Sequence, residues 1–296
     1  MFLSNDAYIK DFLEYLKFEK RYSEHTITSY SNDLLKFHNY LEDYYEGVIF
    51  HSIKSLHLRS YMVFLLEKKM AKSAVARKIS AVKSLFKFLL KQQIVDSSPV
   101  NLIETPKLDK KLPSFLKEDE IINLINVIEF EDSFFGLRDK LLITLFYQTG
   151  VRLSEIIELK EDDVRMDDIK VLGKRNKERI IPLSGKVKNL ITEYRKIKHL
   201  EFPNIKYFFI GDKGNKMYEK FVYRKVNYYL SMVSSKQKRS PHILRHTFAT
   251  HMLNNGADLN AIKEILGHEN LSATQVYTHN SFEKLKSIHK QSHPRG

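Results

Sequence analysis

Ten residues near the middle of the chain, Glu104 to Pro113 (ETPKLDKKLP), are polar, bounded by proline and rich in lysine. Such a stretch has no apolar face to bury and cannot carry a helix through its prolines, so it reads as a linker. It divides 296 residues into two parts, each long enough to bury a core of its own. We assign residues 1–105 to an N-terminal helical domain, 106–114 to the linker and 115–296 to a second domain.

Before the linker, apolar residues recur at helical spacing in four runs. Ile9, Phe12, Leu13, Leu16 and Phe18 mark a helix over 5–22. Ser23 stands as the N-cap of a second, which carries Ile27, Tyr30, Leu34, Phe37 and Leu41. A third, over 55–69, holds Leu58, Met62 and Leu65; a fourth, over 73–93, holds Val75, Ile79, Val82, Leu85, Phe86 and Leu89. Four helices on short links predict a small bundle. Lys72, Arg77, Lys78, Lys83 and Lys87, with Lys68 and Lys69, make its last two helices a candidate phosphate-tracking surface. Charge alone is equally compatible with an ordinary solvated face.

Net charge gives those lysines a context. The chain carries +13, with 15 basic and 12 acidic residues in the first 105 and 34 and 24 in the rest. An excess of this size points to a polyanion as partner, bound with release of counterions. No basic amphipathic segment with apolar anchors suggests a membrane surface, and no apolar run is long enough to span one. The first twenty residues lack the basic start, apolar stretch and cleavage site of a secretory leader. The chain has no cysteine, which removes disulfides and thiolate metal sites and fits a cytoplasmic protein.

After the linker, FLKEDEIINLINVI predicts a helix with an acidic first turn, and GLRDKLLITLFYQ a buried one. In Thr149 to Glu155 (TGVRLSE), Gly150 ends one helix while Ser154 and Glu155 open the next. Arg152 therefore sits in a tight turn, held either for a ligand or for a pair with Glu155. Val164 to Leu183 alternates apolar and polar residues around Gly173-Lys174-Arg175-Asn176-Lys177, the pattern of a β-hairpin with a basic tip; Lys177 and Arg179 lie close by. Tyr207 to Ile210 reads as a further strand, and 184–200 and 218–234 as helices. In SPHILRHTFATHML, Pro241 suits a first helical turn and Leu244, Phe248 and Met252 can face a core. His242, Arg245 and His246 then share a face. A fixed guanidinium beside an imidazole suits chemistry at phosphate. Asn255 to Asp258 caps one helix and starts another, ILGHEN turns the chain, LSATQVYT carries Tyr277, and 281–296 predicts a last helix.

TGVRLSE, the hairpin GKRNKERIIPL, SPHILRHTFATHML, ILGHENLSATQVYTH and the closing KLKSIHKQSHPRG together resemble the tyrosine recombinases, and their Xer-type branch in particular. The five motifs run in order across the whole second domain; the N-terminal bundle is similar by pattern to the family's core-binding domain. The resemblance implies a mainly α protein: an N-terminal four-helix, SAM-like core-binding domain, then a mostly helical catalytic domain with a small antiparallel sheet. It implies DNA strand exchange through a covalent phosphotyrosine, with no cofactor and no metal. Tyr277 would be the nucleophile, Arg152 and Arg245 the clamp on the non-bridging oxygens, and Lys174 the general acid for the departing 5′ oxygen. His242 would assist proton transfer, and His268 would hydrogen-bond the phosphate or support the tyrosine. Relatives usually carry glycine where this chain has Arg175, so the turn type of the tip, and with it the aim of Lys174, is not fixed by the resemblance. Lys177, Arg179 and Arg175 itself read as backbone-phosphate contacts.

As partners the resemblance implies double-stranded DNA, a homo- or hetero-tetramer on two DNA sites, a second Xer recombinase and an FtsK-type DNA translocase. The role would be the resolution of chromosome or plasmid dimers, with a mobile-element integrase or a non-cutting DNA-binding protein as rival readings. Taken alone, a histidine after a glycine, as His268 is, is more often a cap than a catalyst, and Tyr277 is one of 16 tyrosines. His242 and His246 have the spacing of a zinc pair, but no HExxH surrounds them. No Gly-x-Ser-x-Gly suggests a serine nucleophile. His246 and His251 read as structural.

Overall fold

Serine hydroxyls start the first two helices, and the sequence predicts the second of them, Ser23. In the computed structural model, which describes residues 4–46, 48–101, 103–106, 115–173, 177–235, 239–267 and 292, the chain divides into units 1–111 and 112–296. Helix α1 (Asn5–Glu14) follows Ser4, whose hydroxyl accepts the Ala7 N–H at 3.3 Å, and runs on as a π-helical turn over Tyr15–Glu19. Helix α2 (Glu24–Tyr45) follows Ser23, which accepts the Thr26 N–H at 3.4 Å. Helices α3 (Ser55–Glu67) and α4 (Lys72–Lys91) complete the bundle. Phe12, Leu34, Phe37, Leu58, Val75, Val82, Leu85 and Phe86 are buried in its core, each contributing about 1.5–3 kcal/mol of apolar transfer. Phe18, counted with that face, lies 69% exposed, because the helical periodicity ends with the π turn.

The basic surface of this bundle is smaller than the sequence reading. Lys78 follows Val75 by three and precedes Val82 by four, so it points into the core, where its Nζ lies 2.6 Å from Asp33 Oδ1. It is a buried ion-pair partner and not a phosphate contact. Arg77 Nη1 is also committed, to the other Asp33 oxygen and to Ser29 Oγ at 2.9 Å. Lys83 Nζ donates to the Ile103 carbonyl at 2.9 Å. Lys72 and Lys87 are exposed.

The second unit is mainly helical, with one pair of antiparallel strands among the described residues. Helix α5 (Glu118–Ile122) continues through a π turn over Asn123–Val127. Helix α6 (Phe134–Thr149) is buried along nearly its whole length and packs chiefly against α8 (Gly185–Glu201) and α10 (Pro241–Asn254). Between them come α7 (Leu153–Glu158) and the antiparallel strands β1 (Asp168–Leu172) and β2 (Glu178–Pro182), in register from Asp168 opposite Pro182 to Leu172 opposite Glu178. Helices α9 (Glu219–Val233) and α11 (Leu259–Leu266) complete the described elements.

Tyr207 to Ile210 is not a strand of that sheet. It makes isolated bridges at Lys160 with Tyr207 and at Ile210 with Lys216, while Phe208, Phe209 and Ile210 are fully buried. Three consecutive apolar residues gave the strand pattern; burial on all sides without a strand to pair with explains them equally well. Charge also enters this core. Arg138, on α6, donates Nε to Asp139 at 2.9 Å and Nη1 to Asp212 at 2.7 Å, and Lys225 of α9 reaches Asp139 at 2.8 Å. No helix among the described residues is long and apolar enough to cross a membrane.

Candidate active site

Gly150 ends α6 in the left-handed conformation, φ 60°. A Cβ there would sit 2.6 Å from Phe248 Cδ1 and 2.7 Å from Leu266 Cδ2, so α10 and α11 close over the turn only because it is glycine. Two residues on, Arg152 leads into α7 in an extended conformation. Its backbone N–H donates to Glu155 Oε2 at 2.8 Å, its Nη1 to Oε1 at 2.7 Å, and its Nη2 to the Gly267 carbonyl at 2.8 Å. Arg245, from α10, donates Nη1 to the Gly150 carbonyl at 2.5 Å and Nη2 to the Leu266 carbonyl at 2.7 Å.

A third arginine joins them. Arg179, on β2, donates Nε to the Ile265 carbonyl at 2.7 Å and grips Glu155 with Nη1 at 2.8 Å and Nη2 at 2.7 Å. The carbonyls of Ile265, Leu266 and Gly267 at the end of α11 are thus each taken by one guanidinium. Carbonyls there have no partner within the helix and lie at the negative end of its dipole, so cations are the natural caps. Arg152 and Arg245 converge on this one point, immediately before His268.

Three positive charges around one carboxylate set the electrostatics. Burial alone would raise the Glu155 carboxyl, but the Arg179 hydrogen bonds and charge, then those of Arg152, outweigh it and hold it at about 2. Burial, followed by the neighbouring Arg152 charge, lowers the Arg245 guanidinium to about 10. Both groups stay ionised at neutral pH. Of the five N–H groups on a guanidinium, Arg152 and Arg245 each commit two side-chain donors to described partners.

The start of the unit is fastened to the same helix. Leu116 donates its N–H to Thr247 Oγ1 at 2.9 Å, and its carbonyl lies 2.9 Å from His251 Nε2. That partner places the ring proton on Nε2, so Nδ1 accepts from Tyr147 Oη, 3.1 Å away. His251 is buried, and burial lowers its pKa below the ordinary histidine value. His246 is half-buried with its ring edge-on to Phe115, centroids 6.3 Å apart.

The remaining candidates are distributed unevenly. His242 is exposed in the first turn of α10. Lys177 is exposed where its carbonyl accepts the Gly173 N–H at 2.8 Å and closes the hairpin. Lys174, Arg175, His268 and Tyr277 lie outside the described residues. Arg179 requires correction: 5% exposed and with Nε, Nη1 and Nη2 all engaged, it is no backbone-phosphate contact. The residue the sequence undervalued is Glu155, which meets two arginines at once. Its signal was present, since a carboxylate three residues past an arginine at a helix start is placed to cap it.

Comparison with known proteins accords with this geometry. Residues 114–284 match the phage integrase family, and residues 9–93 match the phage integrase N-terminal SAM-like domain. The chain is 38% identical over 296 residues to the tyrosine recombinase XerC of Natranaerobius thermophilus, covering 96% of this chain and 98% of that one. It is 38% identical over 307 residues to the XerC of Halalkalibacterium halodurans, covering the whole of both. A crystal structure of the XerH site-specific recombinase bound to palindromic difH, a post-cleavage complex, shares the fold. Its TM-score is 0.70 at 24% identity over 94% of this chain and 83% of that one. The Xer-type resemblance read from the five motifs is borne out, as is the mainly helical fold, and the chain belongs to the phage integrase family of tyrosine recombinases.

Proposed function

We infer that this protein is a site-specific tyrosine recombinase that cuts and rejoins duplex DNA at Xer-type sites through a 3′-phosphotyrosine. The observation that carries the reading is the meeting of Arg152 and Arg245 at the α11 end that leads into His268. The Tyr277 oxygen attacks the scissile phosphorus and the 5′ sugar oxygen leaves, so one phosphate ester replaces another and rejoining needs no nucleotide. Arg152 and Arg245 take the non-bridging oxygens and offset the charge that builds in the transition state. One such preorganised donor is worth about 3–4 kcal/mol in comparable sites. Lys174 delivers a proton to the departing oxygen; His242 and His268 assist proton transfer and hold the phosphate.

The biological role we propose is resolution of chromosome or plasmid dimers in the cytoplasm. The working assembly is a tetramer on two duplexes, formed with a second Xer recombinase or with further copies of this chain, under an FtsK-type translocase. The excess of positive charge and the exposed Lys72, Lys87 and Lys177 suit tracking of the backbone by both units. Incubation with a nicked suicide duplex, in EDTA and without ATP, should trap a protein–DNA adduct. Tyr277→Phe should bind the same duplex and trap none. Binding without an adduct on every duplex that footprints would instead identify a non-cutting DNA-binding protein.

A further inference from the structure

Arg179 touches both things that hold Arg152 in place. With 5% of its surface exposed, it spans the two oxygens of Glu155 at 2.8 and 2.7 Å and caps the Ile265 carbonyl at 2.7 Å. Glu155 in turn fixes the Arg152 backbone and guanidinium, and the α11 end supplies the Gly267 carbonyl to Arg152 Nη2. The packing leaves little slack: a Cβ on Gly267 would lie 3.2 Å from Arg179 Nη1. We propose that Arg179 is a positioning residue for strand cleavage, which neutralises Glu155 and braces α11 so that the Arg152 guanidinium is presented to the scissile phosphate. The inference rests on the reading of Arg152 and Arg245 as the phosphate clamp.

Glu155 and the scissile phosphate compete for one guanidinium, that of Arg152. A carboxylate in a low-dielectric site demands partners for all its lone pairs. With Arg179 bridging both oxygens, Glu155 needs only one side-chain donor from Arg152. Remove Arg179 and both oxygens turn to the single cation left, pulling Arg152 towards Glu155 and away from the ligand. Displacements near 1 Å at a reacting centre are enough to cost about a hundredfold in rate. Arg179 thus serves cleavage without meeting DNA, whereas a lysine at this position could not span two carboxylate oxygens and a carbonyl.

The test uses the full chain and a nicked suicide duplex, its site selected by this protein from a random-sequence pool. Two versions are compared: an ordinary scissile phosphate, and a methylphosphonate in which one charged non-bridging oxygen is replaced by methyl. The second makes less demand on a guanidinium clamp. For Arg179→Met we expect unchanged footprint and salt slope, adduct formation slower by about a hundredfold on the phosphate, and a deficit of tenfold or less on the methylphosphonate. Arg179→Lys, which retains charge, should show the same substrate dependence with a smaller loss, and it carries the comparison alone if the methionine variant does not fold. An equal loss on both substrates would make Arg179 a brace of the fold only, and a reduced salt slope would make it a phosphate contact; either overturns the proposal, as does full activity. Absence of any adduct with the unaltered chain would overturn the recombinase reading itself, a result distinct from these.

Discussion

Arg245 Nη1 donates to the carbonyl oxygen of Gly150 at 2.5 Å, so the guanidinium of α10 is tied to the turn that ends α6. That turn also delivers Arg152 two residues later. The left-handed glycine therefore sets the geometry of both arginines, which are aimed by the backbone as well as by their own side chains.

Gly150→Ala tests this coupling. At φ 60° the new methyl is strained, and it would approach Phe248 Cδ1 to 2.6 Å and Leu266 Cδ2 to 2.7 Å. Strain and overpacking together should cost about 2–4 kcal/mol in urea-induced unfolding. Adduct formation should fall further than the loss of folded protein accounts for, because the Arg245 acceptor moves with the turn.

Glu155 makes stability depend on acid. Its folded-state pKa, about 2, lies below the ordinary 4.5, so its contribution is complete above pH 4.5 and is lost as pH falls towards 2. The contribution is on the order of 3 kcal/mol. Urea titrations between pH 2 and 5 should show this slope, and Glu155→Gln should flatten it while lowering stability at neutral pH.

Sequence alone located most of the architecture. The four bundle helices, the hairpin, Pro241 at the first position of α10 and Gly150 as a cap were all legible, because caps and periodicity are local signals. Two cations were misread, for a shared reason. Lys78 lies on the apolar parity of α4, and Arg179 on the inward parity of β2, alternating with exposed Glu178 and matching buried Ile181. Charge suggested a surface, but position along the element decided burial. The partners that make such burial tolerable, Asp33 and Glu155, come from other elements, at separations no periodicity reports.

The Leu116 anchor should be measurable by itself. Thr247→Val removes the acceptor of a buried backbone N–H, 2.9 Å away. We expect about 1–3 kcal/mol of destabilisation, and faster hydrogen exchange at the Leu116 amide than at amides of α6.

The bundle cations separate by the same logic. Lys78→Ala leaves Asp33 short of a buried partner and should cost about 3 kcal/mol in stability, with the salt dependence of DNA binding unchanged. Lys87→Ala, at an exposed position, should leave stability within about 0.5 kcal/mol and lower the salt slope by about one.

The central claim is that a phenolic oxygen takes the place of a sugar oxygen on phosphorus. Mass spectrometry of the proteolysed adduct from a suicide duplex tests it directly. The account predicts one peptide, containing Tyr277, esterified to a 3′ phosphate, with a free 5′ hydroxyl on the released strand. Linkage to another residue, or to a 5′ phosphate, would contradict it.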